Sequence, residues 1–107
     1  EREAVLAIPS LRVRLADEDL AGALDTPVMS HSLREALLET LYASPSDLLI
    51  LPVQDVFGWR DRINQPATVA ESNWTWRLPW SVDRLPLEPT AMTVATQMAE
   101  WARKHDR

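Results

Sequence analysis

From Asp55 to Pro89 the chain loses all apolar periodicity, with Pro66, Pro79, Pro86 and Pro89 spaced along it and Gly58 as its one glycine. Proline removes a backbone donor and fixes φ, so neither a long helix nor a central strand can run through such a stretch. A structureless connection of this length is unusual inside a compact domain, which points to a functional loop or a segment laid across a surface. Trp59, Trp74, Trp76 and Trp80, four of the five tryptophans, all fall inside it. Packing among them is one way to hold it.

Immediately before this stretch, Asp47 to Val53 reads DLLILPV. Continuous Leu, Ile and Val without alternation is the pattern of a strand covered on both faces, so a buried strand is expected over 47–53. The run that follows, QDVFGWRDRINQPATVAESNWTWR from Gln54 to Arg77, crowds polar and aromatic residues into the loop beyond that strand. Such residues at the end of a buried strand are what ligand sites are built from. Upstream, Ser32 and Glu35 have the spacing of a capping box, and Leu33, Ala36, Leu37, Thr40 and Leu41 mark one face of a helix expected over 32–43. Ser44-Pro45-Ser46 breaks it. Helix, tight turn and buried strand together make half of a βα repeat.

Towards the N-terminus, Ala4 to Ile8 reads as the end of a helix that Pro9 terminates. Leu11, Val13 and Leu15 alternate with Arg12 and Arg14, suggesting a short strand. After the acidic patch Asp17-Glu18-Asp19, Leu20, Ala23 and Leu24 return to helical spacing until Asp25-Thr26-Pro27. From Thr90 onward, Met92, Ala95, Met98, Ala99, Trp101 and Ala102 form a helical stripe. Arg103, Lys104 and His105 then sit where cations oppose the helix dipole. The expected chain is thus α/β but mostly helical, with one buried strand and a long Trp-rich loop.

At 107 residues this is one folding unit, 1–107, long enough to bury roughly two-thirds of its unfolded surface. With 46% hydrophobic and 25% charged residues it has the balance of a soluble globular protein, and no apolar run approaches the roughly 20 residues of a membrane helix. A net charge of -5 and a single lysine, Lys104, argue against nucleic acid and favour a neutral ligand. The absence of cysteine removes disulfides, thiolate catalysis and Cys-ligated zinc, and suits a cytoplasmic protein. His31 and His105 lack companions at metal-ligand spacing, and two glycines cannot build a phosphate cradle, so neither metal nor cofactor is expected. Ser30-His31-Ser32 lies near Asp25, but without a nucleophile elbow the serines are better used at a helix start. The chain opens at Glu1 with neither initiator Met nor signal-peptide pattern, so a processed or cut chain is expected.

Gln54-Asp55, Gly58, Arg62, Asn64, Pro66, Thr68, Asn73-Trp74 and Arg77 form, as a set, a pattern that resembles the C-terminal signature of the 4-alpha-glucanotransferases, also called amylomaltases or disproportionating enzymes. The preceding Leu-rich helix and apolar run look like that family's final barrel repeat, extending the likeness over about Ser30 to Leu85. One position departs: the family usually reads Asn-x-Pro-Gly-Thr, and here Ala67 stands where Gly is expected. A backbone conformation with positive φ is disfavoured for Ala.

The resemblance implies the C-terminal fragment of a (β/α)8 TIM barrel within a longer, cofactor-free enzyme acting on α-1,4-glucans or maltooligosaccharides. In such a barrel the C-terminal strand ends carry the active site. It further implies that Gln54, Asp55, Asn64, Pro66, Asn73 and Trp74 bind substrate. Several have an ordinary alternative: helix capping or pairing with Arg60 or Arg62 for Asp55, an Asx turn for Asn64 and Pro66, core packing for any Trp. Arg62 and Arg77 more often brace loops through carboxylates than touch a sugar. Retaining glucan transfer needs two carboxyl groups about 5 Å apart. The resemblance places these on earlier strands, so no catalytic residue is assigned here. A non-catalytic carbohydrate-binding module and a helical interaction domain remain the alternative functions. A lone barrel strand cannot pair its backbone groups, so the isolated segment is expected either to exchange strands in a homo-oligomer or to rearrange into a mostly helical fold.

Overall fold

A computed structural model describes residues 3–4, 7–14, 22 and 28–107. The chain divides into two compact units, Glu1–Ile50 with Trp101–Arg107, and Leu51–Glu100. Four α-helices are delimited among the described residues: α1 (Pro9–Arg12), α2 (His31–Tyr42), α3 (Val53–Phe57) and α4 (Pro89–Lys104), with a 3₁₀ helix, Val82–Leu87, preceding α4.

In the first unit Glu3 and Ala4 are helical and the Ala7 N–H donates to the Glu3 carbonyl at 2.9 Å, in keeping with a helical segment ahead of Pro9. Pro9 then opens α1, because its fixed φ and missing donor cost nothing at the first helical position. This corrects the strand expected at Leu11 to Leu15. Leu11 is fully buried on α1, whereas Val13 is 86% exposed. Three alternating residues cannot override a proline-led turn, and an unpartnered strand would leave its backbone unbonded. Leu15, the acidic patch and the Leu20 to Leu24 helix lie outside the described residues, apart from Gly22, which is helical.

Helix α2 is found one residue earlier than expected, and its cap is Ser30, not Ser32. The Ser30 Oγ accepts the Leu33 N–H at 3.2 Å. Glu35 therefore closes no capping box and instead reaches back to His31 Nε2 at 2.9 Å. The buried face is also rotated: Leu33 and Ala36 are buried as expected, but Leu38 and Tyr42 join them, while Leu41 is exposed. Tyr42 is buried against Trp101, whose ring lies 5.7 Å from its own at an interplanar angle of 50°, a tilted arrangement that aromatic pairs favour.

The last carbonyls of α2 find no further helical partners once Ser44-Pro45-Ser46 ends the helix. The Ala43 and Ser44 N–H groups take those of Glu39 and Leu41, and Arg107 takes that of Tyr42 through Nε at 2.7 Å, while its Nη2 donates to the Ser44 and Ser46 carbonyls just beyond the helix at 2.7 and 2.6 Å. Arg107 is held in place by the end of α4, where Asp106 adopts φ 55° and the Arg107 N–H donates to the Ala102 carbonyl at 2.8 Å. That is a Schellman termination with aspartate in the left-handed position usually given to glycine. A carboxylate on α2 completes this unit. Glu39 receives Lys104 Nζ at 2.6 Å and His105 Nε2 at 3.3 Å on Oε1, with Arg14 Nε 3.7 Å from Oε2.

The buried strand expected over Asp47 to Val53 is not formed, and no strand occurs among the described residues. Leu48 and Ile50 are 73% and 79% exposed, and Leu49 and Leu51 are half-buried. A strand buried on both faces requires neighbours that accept and donate its backbone hydrogen bonds, and these described residues supply none. The chain instead turns helical at Val53, with extended Pro52 as the cap residue. Gln54 and Asp55 therefore lie inside α3, not in a loop after a strand. Gly58 ends α3 at φ 72°, ψ 28°, with the Trp59 N–H donating to the Gln54 carbonyl at 2.8 Å. Helix α4 begins at Pro89 and carries the expected Arg103 and Lys104 in its last turn. Of its apolar stripe Trp101 is buried and Met98 half-buried, whereas Met92, Ala95 and Ala99 are exposed.

Candidate functional site

Within the second unit the aperiodic stretch is ordered by two local devices. The first is aromatic. Phe57, at the end of α3, stacks on Trp59 with centroids 4.5 Å apart and planes 10° from parallel. Trp59 meets Trp76 at 5.5 Å and Trp80 at 5.8 Å, and Phe57 meets Trp80 at 5.8 Å. All four rings are half-buried. Three of the loop tryptophans thus anchor the segment to itself, as the ordinary packing alternative had it, and Phe57 joins them unanticipated. Its position could have been read from the sequence, because it lies one residue before the glycine that turns the chain back on α3.

The second device is a hydrogen-bonded knot over 63–75. Pro66 and Ala67 occupy its turn, and Ala67 has φ 59°. Alanine therefore adopts the left-handed conformation for which the resembled pattern uses glycine. The Thr68 hydroxyl donates to the Gln65 carbonyl at 2.7 Å, closing the turn. Asn73 binds both sides of it: Oδ1 accepts the Gln65 N–H at 2.8 Å, and Nδ2 donates to the Thr68 carbonyl at 3.1 Å and Thr68 Oγ1 at 3.3 Å. Next to it the Trp74 N–H donates to the Ile63 carbonyl at 2.7 Å, and the Thr75 hydroxyl donates to the Ser72 carbonyl at 2.7 Å. Trp74 itself has φ 66° and is 74% exposed. Positive φ in so bulky a residue is costly and persists only where surrounding bonds over-determine it.

Four of the six residues singled out from the sequence are thereby brought together: Asn64, Pro66, Asn73 and Trp74. Asn64 is half-buried, flanked by the two residues that bond 73 and 74, and its side chain makes no hydrogen bond among the described residues. Gln54 and Asp55 are on α3, and no hydrogen bond among the described residues ties them to the knot. Asp55 is exposed and pairs with neither Arg60 nor Arg62 there. Gln54 is buried, 8% exposed, and its Nε2 has no hydrogen-bond partner among those residues. Exposed Arg62 and Arg77 brace no carboxylate there. No group of three His, Asp or Glu side chains is placed to hold a metal among the described residues. What the knot offers chemically is an exposed indole at Trp74 and, next in the chain to the residue that bonds its N–H, the Asn64 amide, which makes no hydrogen bond among the described residues. An indole covers the apolar face of a pyranose ring while amides bond its hydroxyls.

Residues 10–83 match glycoside hydrolase family 77, described as 4-alpha-glucanotransferase. The chain belongs to this family. The match of the 4-alpha-glucanotransferase family covers the six residues above, the knot and the whole aromatic cluster, whereas α4 lies beyond it. No curated protein and no solved structure matches the chain. Among the described residues no helix of this family member is long and apolar enough to cross a membrane.

Proposed function

We propose that the chain supplies a glucan-facing rim to a 4-alpha-glucanotransferase that moves α-1,4-glucan segments between maltooligosaccharides by retaining double displacement. The observation that carries this reading is Trp74, an indole kept in solvent on a strained backbone whose N–H is tied to Ile63, while Trp76 and Trp80 pack on Trp59. Folding alone gives no reason to expose one indole in this way.

In this reading Trp74 stacks on a glucose ring and Asn64 bonds its hydroxyls. Pro66 and Asn73 shape the rim. Asp55 offers an exposed acceptor, and the Gln54 amide, left with an unpaired donor in a buried setting, is held for a hydroxyl or a neighbouring segment. Family membership supports the wider assignment: a (β/α)8 parent, a cytoplasmic and cofactor-free reaction, and a catalytic carboxylate pair outside this chain. The 107 residues by themselves then bind glucan without transferring it.

Titration of the chain with maltoheptaose, followed by tryptophan fluorescence and calorimetry, tests this. Saturable binding that Trp74→Ala weakens about tenfold is expected, a size in keeping with the loss of one well-placed aromatic contact. No disproportionation of maltotriose is expected from the chain alone. Absence of glucan binding by the unaltered chain, or full binding by Trp74→Ala, overturns the reading.

A further inference from the structure

The resemblance groups Asn73 with the sugar-binding residues, yet its side chain is already committed. Oδ1 is turned to the Gln65 N–H and Nδ2 to the Thr68 carbonyl and hydroxyl. An amide has one acceptor oxygen and two donor hydrogens, so little of its capacity remains for a ligand. The peptide between Asn73 and Trp74 is bonded in turn, through the Trp74 N–H, to Ile63 on the far side of Asn64. Two segments of loop, 63–65 and 73–74, are thus cross-tied, and the tie reaches Trp74, whose φ of 66° needs external support.

We infer that Asn73 is a positioning residue, which fixes Trp74 in its exposed and strained conformation without touching the sugar, with Thr68 as its partner. This rests on the reading that Trp74 meets the glucan. The bonds that Asn73 makes to Gln65 and Thr68 hold the turn whose other arm accepts the Trp74 N–H. Releasing them lets residue 74 relax to negative φ and swings the indole away. Preorganisation of this kind reappears as affinity, because the free loop no longer has to be ordered when ligand binds.

A double-mutant cycle separates positioning from contact. Asn73→Ala is expected to weaken maltoheptaose binding about tenfold in the unaltered chain and by less than about twofold in a Trp74→Ala background. Equal losses in both backgrounds would mean a direct contact and overturn the inference. Asn73→Asp is a second variant. A carboxylate bonds sugar hydroxyls well and can still accept from Gln65, but it cannot donate to Thr68. Positioning predicts that it behaves like Asn73→Ala; retained affinity overturns it.

Amide hydrogen exchange needs no ligand. Asn73→Ala should speed exchange at the Trp74 N–H about tenfold while the Trp59 N–H, bonded to Gln54, stays unchanged as the check on folding. An unaltered Trp74 rate sinks the inference whether or not glucan binds. Glucan binding that Trp74→Ala leaves unchanged, with Trp74 N–H exchange still speeded by Asn73→Ala, would instead remove the functional reading and leave the positioning result standing.

Discussion

The Lys104 ammonium lies 2.6 Å from the Glu39 carboxylate, joining the last turn of α4 to the middle of α2 within the first unit. Burial of Glu39 would by itself raise its pKa. Hydrogen bonds from Lys104 and His105, with the charges of Lys104 and Arg14, outweigh that and hold it below the ordinary value of 4.5. A carboxyl lowered on folding stabilises the folded state above its unfolded pKa, and that contribution is lost as pH falls through the folded value. Urea unfolding of the chain should therefore show a stability advantage over Glu39→Gln at pH 7 that disappears well below pH 4.5. A constant difference down to the lowest pH would contradict the sign.

Ala67 stands at φ 59°, where glycine carries no steric cost. Ala67→Gly should raise stability by about 0.5–1 kcal/mol, the relief of left-handed strain minus the greater freedom glycine gives the unfolded chain. A lower urea midpoint for the variant would show that the turn is unstrained.

Arg107 places one guanidinium against the carbonyls of Tyr42, Ser44 and Ser46. Arg107→Ala should cost about 1–3 kcal/mol, since hydrogen bonds from a charged donor are the stronger kind and the α2 terminus is left without them. Arg107→Lys should recover little, because an ammonium cannot fork across three acceptors. Thermal melts of the three proteins decide this.

Leu48 to Leu51 presents backbone groups bonded to nothing among the described residues, with Leu48 and Ile50 turned to solvent. Such a segment is a template for pairing with another copy. Sedimentation equilibrium is expected to show concentration-dependent association that Ile50→Lys suppresses. A monomer unchanged across the accessible concentration range would rule it out.

Much of the helical content was legible because capping and periodicity are local. Helix α2 and the basic end of α4 follow directly from their residues. The exact cap and buried face of α2 did not, since Ser30 and Ser32 both offer a cap hydroxyl and Tyr42 is buried against Trp101, a residue remote in sequence. The run DLLILPV has the composition of a strand, but a strand is a property of pairs, and no mate for it is found among the described residues. In the candidate site the residue types pointed to the loop that carries the knot and the aromatic cluster. What they did not show was the division of labour: which tryptophan remains free is decided by centroid distances among the other three, and Asn73 has the same letters whether it holds a sugar or a turn.

The partition of the indoles makes the chain its own spectroscopic map. Trp101, against Tyr42, senses one unit; Trp76 and Trp80, each packed on Trp59, form with it a coupled chromophore in the other; Trp74 emits from water. A polar quencher will silence Trp74 first, near-ultraviolet dichroism will follow the trio, and what survives both reports on Trp101, so that melting of each part can be timed without adding a label.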